Sequence, residues 1–149
     1  GAPYWDPYAR GTLVGLTRGS NRFHIIRATL ESMAYQTVDV LSALEQDAQV
    51  KLRRLRVDGG ASANNLLLQM QADLMGAPLD RPRCIETTAF GAAALAGLAV
   101  GVYRDLADVS RTMTIERSFA PRMPEQERQK KLAGWKKAVA RSMGWAREP

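Results

Sequence analysis

The chain has 149 residues, 46% of them apolar and 24% charged, with a mean hydropathy of -0.26 and a formal net charge of +6. That length fits one compact domain, and that balance excludes a collagen-like repeat and a globally disordered chain. The most apolar stretch, Thr88 to Val102, is broken by three glycines and built largely of alanine, so it is too short and too weakly apolar to span a bilayer.

In chain order, Thr12-Leu13-Val14-Gly15-Leu16 predicts a short strand, and Arg18-Gly19-Ser20-Asn21 supplies a turn and a helix cap. A long helix is expected from about Arg22, with Ile25, Ile26, Thr29, Leu30, Met33, Val40, Leu41 and Leu44 on one broad stripe. Leu52 to Val57 alternates as a strand and stops at Asp58-Gly59-Gly60. A second helix is predicted from about Ala63 to Met75, with Leu66, Leu67, Met70 and Leu74 inward and Gly76 closing it. Pro78 to Pro82 predicts a short, proline-bounded strand. Glu86-Thr87-Thr88 offers caps for a helix from about Ala89 to Val100, ended by Gly101, and Tyr103 to Pro121 reads as irregular or weakly extended.

The last segment, Arg122 to Pro149, holds 8 basic and 3 acidic residues. Leu132, Trp135, Val139 and Met143 recur there at helical spacing, with the lysines mostly off that stripe, which predicts a basic amphipathic terminal helix over 122–149. It has no glycine-arginine repeat and no aromatics spaced as a stacking platform, so a solvated basic face is expected, with neither nucleic acid nor membrane as a partner. Alternating strands and helices with short connections predict an α/β sheet covered by helices. Three or four strands are thin for a whole α/β domain, so the chain reads as part of a larger structure.

The sharpest local feature is Val57-Asp58-Gly59-Gly60-Ala61-Ser62-Ala63-Asn64-Asn65. Two glycines between a strand and a helix let another group approach the backbone, and the helix start offers free N–H groups to an anion or a polar ligand. The amides of Asn64 and Asn65 can both donate and accept toward a ribose or an adenine edge. The segment is neither a dinucleotide fingerprint nor a P-loop, and the plain alternative is a tight turn with Ser62 as the cap. Gly91-Ala92-Ala93-Ala94-Leu95-Ala96-Gly97 predicts a helix whose small side chains permit close packing. His24, the one histidine, reads as a surface or capping residue near a helix start. Cys84, the one cysteine, reads as a solitary thiol that forms no internal disulfide or metal cluster and fits a cytoplasmic protein. The opening residues, Gly1 to Asp6, do not read as a secretory leader. Glu31 with Tyr35 and Asp39 with Arg27 are helix-face polar residues, so neither a catalytic residue nor a metal site is expected in this chain.

Gly11-Thr12-Leu13-Val14-Gly15-Leu16, seven residues, His24-Ile25, two residues, and Ala28-Thr29-Leu30-Glu31 together resemble the second signature of the FGGY carbohydrate kinases. The stretches Gly1 to Gly11, Ala28 to Thr37, Leu55 to Gly60, Ala96 to Gly101 and Ala133 to Val139 are similar to the branch of that family that phosphorylates glycerol. The resemblance covers essentially the whole chain. It implies the C-terminal portion, over 1–149, of the second, ATP-binding lobe of a two-lobed enzyme of the ribonuclease-H-like, actin/hexokinase/heat-shock-protein-70 type. On that resemblance Gly60 and Asn64 contact ATP, Gly59 and Ala61 shape the turn, and the helix of Gly91 to Gly97 lies near the hinge. Ser62 stands where some members carry valine.

The resemblance also implies ATP with Mg²⁺ as the cofactor, glycerol as the acceptor bound in the other lobe, and a homo-oligomeric enzyme. The family's catalytic Asp and its glycerol-binding residues fall before residue 1, so the 149-residue chain alone is expected to be inactive. Its unpaired sheet edge is expected to leave it marginal or self-associating. The alternatives are another sugar or polyol kinase of the same family, and a stand-alone interaction module.

Overall fold

The computed structural model describes residues 2–147, so Gly1 of the first resemblance segment and the last two residues of the expected terminal segment lie outside the described residues. Among the described residues the chain builds five α-helices and a three-stranded sheet. Asn21 opens α1 (Arg22–Ala48). Its side-chain oxygen accepts from the N–H groups of Phe23 and His24 at 3.0 and 3.3 Å, and His24 Nδ1 accepts from the Asn21 N–H at 3.1 Å. This reciprocal cap satisfies donors that a helix start leaves open, and it gives His24 the capping role expected of it.

The stripe read along α1 is apolar but is not the buried line. Ile25, Ile26, Met33, Val40 and Leu44 are exposed, whereas Leu30, Ala34, Tyr35 and Val38 pack inward. Helical spacing defines a face; the partner that covers it is set elsewhere. Thr12 to Leu16 forms no strand, because no strand among the described residues lies beside it and Gly15, at φ +82°, breaks the extension.

β1 is confined to Leu55–Arg56. The preceding Leu52, expected in the strand, instead donates its N–H to Glu45 Oε1 at 2.6 Å and is tied to the end of α1. After β1 come a 3-10 turn (Gly60–Ala63) and α2 (Asn65–Met75), which ends at Gly76 in the left-handed conformation, φ +69°. α2 is buried on two sides. Leu67, Met70 and Leu74 join Ala34 of α1, with Met123 and Leu132 against them, while Leu68 and Ala72 join Leu79 and Phe119 of the sheet. Leu66, expected inward, is 48% exposed and Leu68 takes the core position at 1%. The helix starts at Asn65, with Ala63 in the 3-10 turn and Asn64 as its cap, and a helix between two layers has no single inward line.

β2 (Leu79–Pro82) is the central, fully buried strand. It runs parallel to β1, with Leu55 opposite Leu79, the geometry of a crossover through α2. α3 (Thr87–Ala99) follows and closes at Gly101, φ +79°; Glu86 precedes it without a side-chain cap. The stretch from Tyr103 to Pro121 is more regular than its sequence predicts. It contains α4 (Leu106–Thr112), capped by Asp105 accepting from the Asp108 N–H at 2.7 Å, and β3 (Ile115–Phe119). β3 pairs antiparallel with β2, and a register irregularity between Arg81 and Pro82 leaves Glu116 without a cross-strand partner.

α5 (Glu125–Ser142) exposes Lys130, Lys136, Lys137 and Arg141, whereas Lys131 is half-buried and Arg128 packs against α2, donating to the Leu74 carbonyl at 3.3 Å. Leu132, Trp135 and Val139 are half-buried as the spacing predicts, but Met143 lies past the helix end and is exposed. The α/β expectation holds: a sheet, α2 against it, and α1 with α5 beyond α2.

Candidate functional site

The turn between β1 and α2 is built from the expected residues. Val57 still donates to the Asp80 carbonyl at 3.0 Å, after which Gly59, at φ +78° and ψ 169°, redirects the chain. An L side chain is strained at that φ, so glycine is required there. The Gly59 N–H donates to the Ile85 carbonyl at 2.7 Å, which binds the turn to the segment leading into α3. Ser62 is buried, and its Oγ donates to the Gly59 carbonyl at 2.7 Å, closing the 3-10 turn.

The cap of α2 is Asn64, not Ser62. Asn64 Oδ1 accepts from the N–H groups of Leu66 and Leu67 at 3.0 and 3.2 Å. Half of the amide is therefore committed to the helix start, and its Nδ2 donor has no acceptor among the described residues. Asn65 faces the other way, its Oδ1 accepting from Arg81 Nη1 at 2.9 Å. Gly60 and Ala61 open the 3-10 turn, and among the described residues their N–H groups have no acceptor. A Cβ placed on Gly60 would meet no atom within 4 Å. The backbone at Gly60 is thus open to the approach of another group.

Two hollows flank the turn. A groove of about 580 Å³ between α1, β1 and α2 is lined by Gln36, Val40, Leu55, Ala61, Ser62 and Gln71 among others. A smaller one, about 200 Å³, lies on the side of α3 between Val57, Asp58, Thr87 and Met113.

Sequence reasoning missed Arg81. It lies on β2, 7% exposed, with Nη1 donating to the Ser62 carbonyl at 2.9 Å and the Ala63 carbonyl at 3.3 Å as well as to Asn65. Its Nε donates to Glu116 Oε2 at 2.5 Å, and that hydrogen bond holds the Glu116 carboxyl below its ordinary range. The neighbouring Asp80 is buried too. A hydrogen bond from Ser118, with Arg54 adding its own, lowers its pKa against the opposing effect of burial. The available signal was an Asp-Arg pair inside a four-residue strand, where side chains so charged are buried only when paired.

The small-residue helix behaves differently from expectation at one of its two glycines. On Gly97 a Cβ would lie 2.8 Å from Tyr103 Cδ2, so close packing accounts for that residue, but Gly91 has open space beside it. Cys84 is an exposed free thiol. Among the described residues no group of three or more His, Cys, Asp or Glu could hold a metal ion, and no helix is long and apolar enough to cross a membrane.

Residues 1–100 match the C-terminal domain of the FGGY family of carbohydrate kinases. The chain belongs to that family. FGGY relatives with high identity are a glycerol kinase of Caldanaerobacter subterraneus subsp. tengcongensis, 62% identical over 148 residues, and one of Agathobacter rectalis, 60% identical over 148 residues. Each alignment covers 99% of this chain but 30% of the relative, so the chain spans under a third of the length of the FGGY proteins it matches. Among solved structures, Plasmodium falciparum glycerol kinase with ADP superposes with a TM-score of 0.83 at 34% identity, covering 95% of this chain and 28% of that one. A ligand-bound FGGY xylulose kinase from Lactobacillus acidophilus gives 0.70 at 25% identity, covering 95% and 27%.

Proposed function

We propose that this chain is the C-terminal portion of the ATP-binding lobe of an enzyme that transfers the γ-phosphoryl group of ATP to glycerol. The high identity to glycerol kinases along the whole chain carries this reading, and the lower likeness to a xylulose kinase favours glycerol over another polyol. Gly60 and Asn64 contact the nucleotide, and Gly59 and Ala61 shape the turn that presents them. The open backbone at Gly60, the N–H groups of Gly60 and Ala61 that lack acceptors among the described residues, and the uncommitted Asn64 Nδ2 fit a nucleoside that approaches the turn edge-on.

Phosphoryl transfer depends on holding nucleotide, Mg²⁺ and acceptor in line. This chain's contribution is to bind and orient the nucleotide. Mg²⁺ travels with the phosphates, and glycerol is held by the part of the enzyme outside these residues. The edge of β1 that is unpaired among the described residues, the exposed Leu95 of α3 and Val100 just after that helix are the surfaces against which that remainder packs. The enzyme is cytoplasmic and homo-oligomeric, and the 149-residue chain by itself transfers no phosphate.

The test is to sequence upstream of the codon for Gly1, express the complete reading frame and measure glycerol-dependent ADP release. Activity in the full-length protein and none in the 149-residue chain is the expected result. A stop codon and start signal immediately before Gly1, or glycerol-dependent turnover by the short chain, would overturn the reading. In the full-length enzyme Asn64→Ala weakens ATP binding more than glycerol binding; equal effects would remove Asn64 from the site.

A further inference from the structure

A guanidinium taken out of water needs its donors engaged, because each unpaired one carries the full desolvation penalty of a charged group. Arg81 engages two of its three nitrogens, Nε and Nη1, with four acceptors, and the places of those acceptors along the chain carry the inference. The carbonyls of Ser62 and Ala63 immediately precede Asn64, and the Asn65 side chain immediately follows it. Nη1 therefore grips the turn on both sides of the residue whose Nδ2 is left for a ligand. The fourth acceptor, Glu116, is the residue that the β2–β3 register leaves unpaired, and it accepts from Nε rather than Nη1. The guanidinium also lies 5.7 Å from the centre of the Phe119 ring, which limits its freedom to turn.

We propose that Arg81 is a positioning residue for the nucleotide: from the central strand it fixes the turn that carries Gly60 and Asn64. The inference rests on the reading of that turn as the nucleotide site. Arg81 contacts no ligand itself. It acts through Asn64, whose Oδ1 is held by the start of α2 while its flanking residues are held by Arg81. A lysine keeps the charge but presents a point donor on a flexible stem, and cannot serve three turn acceptors and Glu116 from one planar fork.

The experiment uses the full-length protein and compares Arg81→Lys, Asn65→Ala and Glu116→Gln, each alone, with Arg81→Lys also combined with Asn64→Ala. KM for ATP, KM for glycerol, kcat, ADP affinity and the thermal midpoint are measured for each. Loss of charge-assisted hydrogen bonds at the turn predicts that Arg81→Lys raises KM for ATP and Kd for ADP about tenfold while KM for glycerol moves less than about twofold. Asn65→Ala shifts the nucleotide constants in the same direction by less, and Glu116→Gln leaves them within about twofold, since its contact is not on the turn. The double variant binds nucleotide no more weakly than Asn64→Ala alone.

A lower thermal midpoint with unchanged nucleotide constants, equal rises in both KM values, or additive effects in the double variant would overturn the proposal. Should Arg81→Lys fail to fold, Asn65→Ala decides the matter, because Asn65 is exposed; unchanged ADP affinity in it counts against the role. If the unaltered protein binds ADP but phosphorylates no glycerol, the substrate reading falls while the ADP affinities still judge Arg81. If it binds no nucleotide, both fall.

Discussion

Trp135 of α5 lies flat on Tyr35 of α1, with ring centroids 5.1 Å apart and planes 9° from parallel, and its Nε1 donates to Asp39 Oδ2 at 2.7 Å. The two residues are a hundred positions apart, so this contact ties the end of the chain to its first helix. Tyr4 donates to the same Asp39 oxygen at 3.3 Å, and Lys131 approaches Glu31 at 3.9 Å. The basic helix is thereby held as a structural layer, with its remaining lysines in solvent.

That arrangement separates stacking from hydrogen bonding. Trp135→Phe keeps an aromatic ring over Tyr35 but leaves Asp39 without its indole donor, and is expected to cost about 1 kcal/mol. Trp135→Ala removes the ring as well and costs more. Urea unfolding of the two variants against the parent checks this. An equal loss in both would show that the stack contributes nothing beyond the hydrogen bond.

The two burial assignments on α2 make opposite demands. Leu68, 1% exposed, fills the space between α2 and the sheet, so Leu68→Ala is expected to destabilise by roughly 2–5 kcal/mol through lost transfer energy and a residual cavity. Leu66, half exposed, should tolerate alanine with a change within about 0.5 kcal/mol. Thermal midpoints of the two variants distinguish the faces. A larger loss at Leu66 would restore the single inward line that spacing alone predicts.

What could be read from sequence was local. Asn21 with His24, Gly59 at the end of β1 and Gly76 after α2 are caps and turns whose partners lie within a few residues, so the residue types announce the geometry. The rest depends on distant partners. β3 exists because Ser118 and Phe119 find Asp80 and Leu79 across almost forty residues, and nothing inside Ile115–Phe119 states that. Arg81 escaped for the same reason, since its acceptors lie 16 to 35 positions away. The type of Asn64 makes it, with Asn65, a candidate for a polar ligand, and only the family resemblance singles it out; that its Oδ1 caps α2 needed the structure.

The two glycines of α3 are expected to diverge. Gly91 has open space and an ordinary helical position, so Gly91→Ala should stabilise by up to about 1 kcal/mol. At Gly97 the added methyl collides with the Tyr103 ring, and Gly97→Ala should destabilise despite its better helix propensity. Shrinking the ring with Tyr103→Ala in the Gly97→Ala background should return part of the loss. Thermal melts of the three variants test the contact, and a stabilising Gly97→Ala would refute it.

Asp80 gives the fold a predictable acid response. The hydrogen bond from Ser118, aided by Arg54, holds the folded carboxyl below its ordinary value, which is the value it regains on unfolding. A depressed folded pKa means the unfolded state takes up the proton first as pH falls. The associated stability is therefore full above the ordinary carboxyl range, near pH 4, and is lost progressively as pH drops through the lower folded value. Ser118→Ala should be less stable than the parent near neutrality, with the gap narrowing below about pH 4. Urea midpoints across that range measure it; a gap that stays constant would detach Ser118 from the titration of Asp80.

Gly60 offers a test of the site in which folding and binding part company. Its φ lies outside the left-handed region, unlike that of Gly59, and a methyl placed there touches nothing within 4 Å. Gly60→Ala should therefore leave stability within about 0.5 kcal/mol of the parent. If the nucleotide approaches the open backbone there, the same methyl stands between the two, and ADP affinity in the full-length protein should fall about tenfold, the size expected for a lost close contact. Gly59→Ala is the control, since the strain at φ +78° should lower the thermal midpoint whether or not nucleotide binds. Unchanged ADP affinity in a well-folded Gly60→Ala protein would move the nucleotide away from this turn, and with it the reason for fixing the turn so firmly to β2.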